Sequence, residues 1–189
     1  MEENKSVLRK TVLTRRDGLD EEERRRGDIL LTERILGHQW FYRSEYLLCY
    51  VSCGSEISTR EILQEALKKG KKVYVPKVVR EKTAEMVFYR ITNLEELSEG
   101  YKGIPEPSGE TEAYLYEPGK AESTLVLMPG VAFDRFRNRI GYGKGFYDRF
   151  LVDKEELQLR TIAVGYSCQL LKELPASETD IKPYQVICV

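Results

Sequence analysis

The stretch RIGYGKGFYDRFL, residues 139–151, sets three glycines two apart among basic side chains and runs into an aromatic and acidic segment. Glycines let successive backbone N–H groups turn toward one anion, and a helix that begins just after them adds partial positive charge. Arg139 and Lys144 bring full charges to the same place. Hydrogen bonds to a charged group contribute about 1.5–3 kcal/mol each, so several converging on a phosphate chain would give useful affinity. The same spacing also suits a glycine-rich turn packed tightly between a strand and a helix, and both readings stand at this point. Neither familiar phosphate loop fits. No Ser or Thr follows Lys144, as a P-loop requires, and Phe146 occupies the last glycine position of a dinucleotide fingerprint begun at Gly141. A carboxylate beside bound phosphates calls for a divalent cation between them, and Mg²⁺ with phosphates uses one or two carboxylates. Asp148 is therefore a candidate metal ligand, or else an acid favoured by a helix N-terminus. Asp180 is the candidate second ligand.

Elements that would position these residues can be read from the apolar pattern. Residues 3–16 place Val7, Leu8, Val12 and Leu13 at helical offsets, with Lys5, Arg9, Arg15 and Arg16 elsewhere on the cylinder. Asp20 and Glu23 form a capping box for a second helix toward Leu36, and Ser58 with Glu61 forms another for a helix that Gly70 ends. Short apolar runs, YLLCYVS from Tyr46, KKVYVPKVV, TLVLM before Pro129-Gly130, TIAVGYS and YQVICV, predict buried strands, with Pro76 arguing for a strand end. EMVFYRI alternates like an edge strand, YKGIPEPSGETEAY is largely loop, and a helix is expected from about Gly145 to Glu156. Strand, helix, strand units over this length predict one domain, residues 1–189, with an α/β fold: a three-layer α/β/α sandwich around a largely parallel, mixed sheet.

Composition narrows the function classes. The chain is 41% hydrophobic and carries 30 Lys+Arg against 31 Asp+Glu, without the basic excess of a typical nucleic-acid binder, and it shows no RRM or KH pattern. No window approaches the roughly 18 apolar residues of a membrane helix, and MEENKSVLRK lacks the apolar core of a secretory signal, so a cytoplasmic protein with no membrane partner is expected. Cys49, Cys53, Cys168 and Cys188 match no zinc spacing and read as small buried hydrophobes. A single histidine, His38, excludes a His-rich metal site and reads as structural beside its bulky neighbours. Monomer and homodimer both remain open.

PGVAFDRFRNRIGYGKGFYDRFL resembles the signature of 5-formyltetrahydrofolate cyclo-ligases, also called methenyltetrahydrofolate synthetases: Pro-Gly-x-Ala-Phe-Asp, a short turn, then Arg-Leu-Gly-x-Gly-x-Gly-Tyr-Tyr-Asp-Arg. The likeness extends over nearly the whole chain. Lys5, Leu8 and Arg9 match Lys-x-x-Leu-Arg, Glu56 and Thr59 match Glu-x-x-Thr, and Gly103, Ile104, Glu106 and Pro107 match Gly-Ile-x-Glu-Pro. The resemblance implies ATP- and Mg²⁺-dependent closure of 5-formyltetrahydrofolate to 5,10-methenyltetrahydrofolate, with ADP and phosphate released, on a three-layer α/β sandwich.

Carried onto this sequence, the resemblance implies that Lys5, Ser6, Val7, Leu8 and Arg9 contact ATP together with Arg139, Ile140, Gly141, Tyr142, Gly143, Lys144, Gly145, Phe146 and Tyr147. It implies folate contacts at Val51, Glu56 and residues 142–146, and Mg²⁺ at Asp148 and Asp180. The chemistry suits these residues. A formamide oxygen leaves poorly, so phosphorylation by ATP would activate it, N10 would attack the formyl carbon, and phosphate would depart as the ring closes. No enzyme nucleophile is needed, and Arg139 and Lys144 would act as catalytic cations facing the transferring phosphoryl group. Glu56 could pair with the amino and ring N–H groups of the pterin. Three positions depart from the pattern. Arg137 stands where glycine is usual, with Asn138 expected to take the positive-φ conformation instead; Phe146 replaces a tyrosine; Thr179 stands where a histidine often precedes the metal aspartate. A relative that binds folate or nucleotide without turnover is the competing reading.

Overall fold

The computed structural model describes residues 2–108 and 111–189; Gly109 and Glu110 of the expected Pro/Gly-rich loop lie outside the described residues. The chain opens with helices α1 (Glu2–Asp17), α2 (Glu21–Leu36) and α3 (Gln39–Arg43), then β1 (Tyr46–Cys49), α4 (Arg60–Lys68), β2 (Lys72–Arg80) and β3 (Glu85–Ile91). Short strands β4 (Leu97–Glu99) and β5 (Pro105–Pro107) precede β6 (Thr124–Met128), β7 (Ala132–Asp134) and β8 (Arg139–Ile140). The rest is α5 (Phe146–Leu151), α6 (Glu155–Gln158), β9 (Thr161–Gly165), β10 (Leu170–Leu171) and β11 (Gln185–Cys188).

Six strands form the central sheet in the order β11-β9-β6-β1-β2-β3, parallel except for the antiparallel edge strand β3. From β1 the chain crosses through α4 to β2 on one side, and from β6 it crosses through α5 and α6 to β9 on the other. Right-handed crossovers in opposite directions place those helices on opposite faces, which makes the three layers. Strand order therefore reverses between β1 and β6, and a crevice opens outside their carboxyl ends, where open α/β sheets bind ligands. Leu47, Val73, Leu125, Val126 and Ile162 are fully buried in this sheet. No helix among the described residues is long and apolar enough to cross a membrane.

A second, smaller core lies beside it. β10, β7 and β8 form a three-stranded sheet, and Val12 of α1 packs with Val131, Ala132, Ile140 and Leu174. Here α1 departs from expectation: Lys5 and Arg16 are 7% and 4% exposed, whereas Val7 is 63% exposed. Residues 5, 9, 12 and 16 share one helical stripe, so the face turned inward carries three cations and one valine.

Other differences have local causes. The Asp20/Glu23 capping box forms as expected, with Asp20 Oδ1 accepting from the Glu23 N–H at 2.8 Å. The Ser58/Glu61 box does not, because α4 starts one residue later, after Thr59, whose buried hydroxyl donates instead to the Tyr50 carbonyl at 2.8 Å. Gly70 ends that helix at φ +73°. β2 runs through Pro76 because β1 pairing stops at Tyr74, so the missing N–H faces an open edge; two residues on, the Val78 N–H on that edge reaches Glu106 Oε1 at 3.0 Å. The single helix expected from Gly145 to Glu156 is two, because the Leu151 carbonyl accepts from the Lys154 N–H and the Gln158 side chain. Arg137, at φ +66°, takes the left-handed position expected of Asn138. Asn138 is instead held by Asp134, which accepts both its N–H and its amide, while the Arg137 guanidinium donates to the Tyr184 carbonyl at 3.0 Å. His38 caps α3, with Nδ1 accepting from the Trp40 N–H. All four cysteines are free, Cys49 buried and the others half-buried.

Candidate functional site

A cavity of about 590 Å³ occupies the crevice at the strand-order reversal. Tyr50 and Val51 enter it from the end of β1, Pro76 and Val78 from β2, and Pro129 from the end of β6. The glycine loop forms one wall with Gly141, Tyr142, Lys144, Gly145, Phe146 and Tyr147, and Arg139 and Asp148 lie at its base. Glu56, Tyr101 and Lys102 come from connecting segments and Glu106 from β5. Another cavity, about 620 Å³ and lined by Arg34, Arg135 and Arg137, lies against β11 and contains none of the expected site residues.

The loop 141–145 stands open. None of its five backbone N–H groups donates a hydrogen bond to a described residue. Gly143 and Gly145 hold φ +92° and +68°, values that side chains rarely adopt, which is the conformational need behind two of the three glycines. Two buried polar atoms of the cavity residues also have no partner among the described residues, Arg139 Nε and Tyr147 Oη. Burial drives the Tyr147 hydroxyl well above its ordinary pKa, so it stays a neutral donor. A buried donor without an acceptor is costly, and such groups are expected where a ligand supplies the missing acceptor.

Ion pairs tie the expected nucleotide and metal residues to one another. Arg139 Nη2 bonds both Asp148 oxygens, at 3.2 and 3.1 Å, and the Ile181 N–H donates to Asp148 Oδ1 at 3.0 Å. Asp148 thus touches the residue after Asp180. Lys5 Nζ meets Asp180 Oδ2 at 2.5 Å, and the Ser177 N–H donates to the same oxygen. Burial opposes the Asp180 charge, and Lys5 with Ser177 more than compensates, holding its carboxyl below the usual range. Arg9 Nε donates to the Gly141 carbonyl at 2.8 Å, and its guanidinium lies beside Gly143. Lys144 reaches Glu81 at 3.9 Å.

Not every expected residue faces the cavity. Lys5, Arg9 and Asp180 lie on the α1 side of the loop, Gly143 turns toward Arg9, Ile140 is buried in the smaller core, Leu8 packs against it, and Ser6 and Val7 are exposed. Phe146 packs edge-on to Tyr101 with centroids 6.0 Å apart, and Thr179 bonds Ser177 rather than Asp180.

At the opposite wall, Glu56 accepts from the Cys53 N–H at 2.9 Å and from the Tyr142 hydroxyl at 2.5 Å. Its pKa is raised by burial, against the opposing pull of Tyr142, Cys53 and Arg16. Thr59 holds this loop to Tyr50 and Ser52, three residues on from Glu56. Arg16 was missed from sequence, as were Ser55 and Tyr101. The signal for Arg16 was its place on the stripe of Lys5 and Arg9.

Asp148 and Asp180 offer the hard carboxylate oxygens that Mg²⁺ prefers. No cluster of three or more His, Cys, Asp or Glu side chains suited to a metal occurs among the described residues, so a cation here would complete its shell with phosphate oxygens and water.

The whole chain, residues 1–189, matches the model of the 5-formyltetrahydrofolate cyclo-ligase family. A Caenorhabditis elegans protein named "Probable 5-formyltetrahydrofolate cyclo-ligase" is 35% identical over 99% of this chain and 93% of its own. The Mus musculus 5-formyltetrahydrofolate cyclo-ligase is 29% identical, over 97% and 92%. The NMR structure of Aquifex aeolicus 5,10-methenyltetrahydrofolate synthetase superposes with a TM-score of 0.78 at 34% identity, covering 95% of this chain and 86% of that one.

Proposed function

Because the chain belongs to the 5-formyltetrahydrofolate cyclo-ligase family, we propose that it uses ATP and Mg²⁺ to close 5-formyltetrahydrofolate to 5,10-methenyltetrahydrofolate, releasing ADP and phosphate. The observation that carries this reading is a set of donors with no partner among the described residues at one cavity wall: the amides of loop 141–145, of which all but Gly143 line the cavity, together with Arg139 Nε and the Tyr147 hydroxyl. A folate bound on the Glu56 side would present its formyl oxygen toward those donors.

The formyl oxygen attacks the terminal phosphorus of ATP, ADP leaves, and the C–O bond becomes a C–O–P bond. N10 then attacks the formyl carbon, phosphate departs with the electrons of that C–O bond, and N10 gives up its proton. The loop amides and Lys144 receive the charge of the phosphoryl group in flight, Arg139 neutralises it from below, and Tyr147 donates from a position fixed by burial. Lys5 and Arg9 hold the Asp180 segment and the loop in register. Asp148 and Asp180 would hold Mg²⁺, which supplies charge neutralisation between the phosphates. Glu56 accepts from the donor edge of the pterin, and Tyr101 and Phe146 offer ring faces beside it.

Incubating the purified protein with MgATP and 5-formyltetrahydrofolate tests this directly. The near-ultraviolet absorbance of the methenyl product should grow only when ATP is present. Tight binding of both ligands with no absorbance change would establish the non-catalytic reading instead.

A further inference from the structure

Arg16 has no part in the reaction proposed above, yet it is the most buried cation of the site. Its Nη1 donates to the Tyr142 hydroxyl at 2.8 Å, and that hydroxyl spends its one proton on Glu56 Oε1 at 2.5 Å. Its Nε donates to Ser55 Oγ at 2.9 Å, and Ser55 in turn donates to Asp17. We propose that Arg16 is a positioning residue that acts through the Tyr142 hydroxyl to keep Glu56 an oriented, charged acceptor for the donor edge of a pterin. This inference rests on the reading that Glu56 receives the folate.

The physical need is clear from the surroundings of Glu56. The cavity strips water from the carboxylate, which favours uptake of a proton. A protonated Glu56 would turn an O–H toward the amino and ring N–H groups of the pterin and lose one of the two acceptors that a paired edge requires. Tyr50 and Tyr147 face it as neutral hydroxyls, and Glu106, Lys102 and Lys144 line the same cavity. Asp17, Arg139 and Asp148 line that cavity as well, and Asp17 accepts from Ser55. Against burial stand the Cys53 N–H, the Tyr142 hydroxyl and the Arg16 charge behind it. Asp17 and Ser55 fix the guanidinium, so its forked geometry decides where the Tyr142 proton points.

The test compares wild type with Arg16→Met in kcat and KM for 5-formyltetrahydrofolate between about pH 6 and about pH 8. Loss of a hydrogen bond to a charged chain should lower kcat/KM about tenfold at the acid end, with little change at the alkaline end and at saturation. Arg16→Lys should recover part of the acid limb, and Arg16→Met should add no pH dependence in a Glu56→Gln background. A uniform loss at every pH, or a loss confined to kcat, would overturn the proposal. If Arg16→Met does not fold, Tyr142→Phe removes the bridging hydroxyl, keeps the ring, and must move the same limb in the same direction. Calorimetric binding of the same folate at both pH values asks the question without turnover. A wild type that binds but never turns over therefore refutes the ligase reading alone, while a pH-blind Arg16→Met refutes only the role of Arg16.

Discussion

Around the central sheet the buried residues are nearly all apolar, among them Leu47, Leu63, Val73, Leu125 and Ile162; around α1 and the β7–β8 hairpin, Val12, Val131, Ala132, Ile140 and Leu174 share the interior with Lys5, Arg16, Asp134, Asn138 and Gln169. Apolar burial is non-directional and scales with area, so the large core holds its shape without fixing any one polar atom. The small core works the other way. Asp134 alone accepts from the Phe136, Asn138 and Leu174 N–H groups and from the Asn138 amide. Directional bonds of this kind set where Arg139 leaves the hairpin and where Asp180 meets Lys5. Such bonds are lost group by group, so this region is expected to open before the sheet.

Truncating the large core gives the strongest contrast. Leu63 is 1% exposed on α4, and Leu63→Ala should cost about 2–5 kcal/mol from lost transfer and the cavity left behind. Urea unfolding should show that loss, while KM for both substrates, measured where the variant is folded, stays near wild type. A large change in KM with little change in stability would mean that the two regions are not separable in this way.

Asp134→Asn is expected to act locally and less strongly, at about 1–3 kcal/mol, because the amide cannot accept from all four donors. Hydrogen exchange should quicken across residues 131–140 and 170–174 and stay slow in β1 and β6. Turnover should fall with it, since Arg139 is carried on the same hairpin. Uniform quickening through the central sheet would show one cooperative unit rather than two.

The same division explains what could be read from the sequence. Short apolar runs bounded by turn residues gave β1, β6, β9 and β11, and alternation gave β3, because burial between two helix layers leaves that mark. α1 was legible as a helix but not in its orientation. A rule that turns apolar residues inward places Val7 inside and Lys5 and Arg16 outside, and the structure reverses this because Asp180, the Gly141 carbonyl and the Tyr142 hydroxyl accept from Lys5, Arg9 and Arg16. Strands as short as β8 carry no periodicity, and the choice between Arg137 and Asn138 for the left-handed position depended on Asp134 holding Asn138. The glycine loop was legible because its backbone conformation restricts residue type. The pairing of Lys5 with Asp180, 175 residues apart, leaves no local trace.

That pair supplies the smallest expected effect and the one most dependent on pH. Lys5 and the Ser177 N–H hold the Asp180 carboxyl below its ordinary value of 3.8. Between that value and the depressed folded one, the unfolded chain binds more protons than the folded chain. The contribution of Asp180 is therefore complete above the unfolded pKa and is lost as pH falls through the folded pKa. Asparagine keeps an oxygen for Lys5 and the Asp180 side chain is 26% exposed, so Asp180→Asn should cost about 1 kcal/mol at neutral pH. Urea midpoints for wild type and variant should differ near neutrality and converge below about pH 4. The gap should close for hydrogen exchange at residues 176–181 before it closes for β1, because the pair clamps the small core and not the sheet. A difference that persisted unchanged in acid would show that the Lys5 charge is answered elsewhere, and the polar clamp would then not distinguish the two regions.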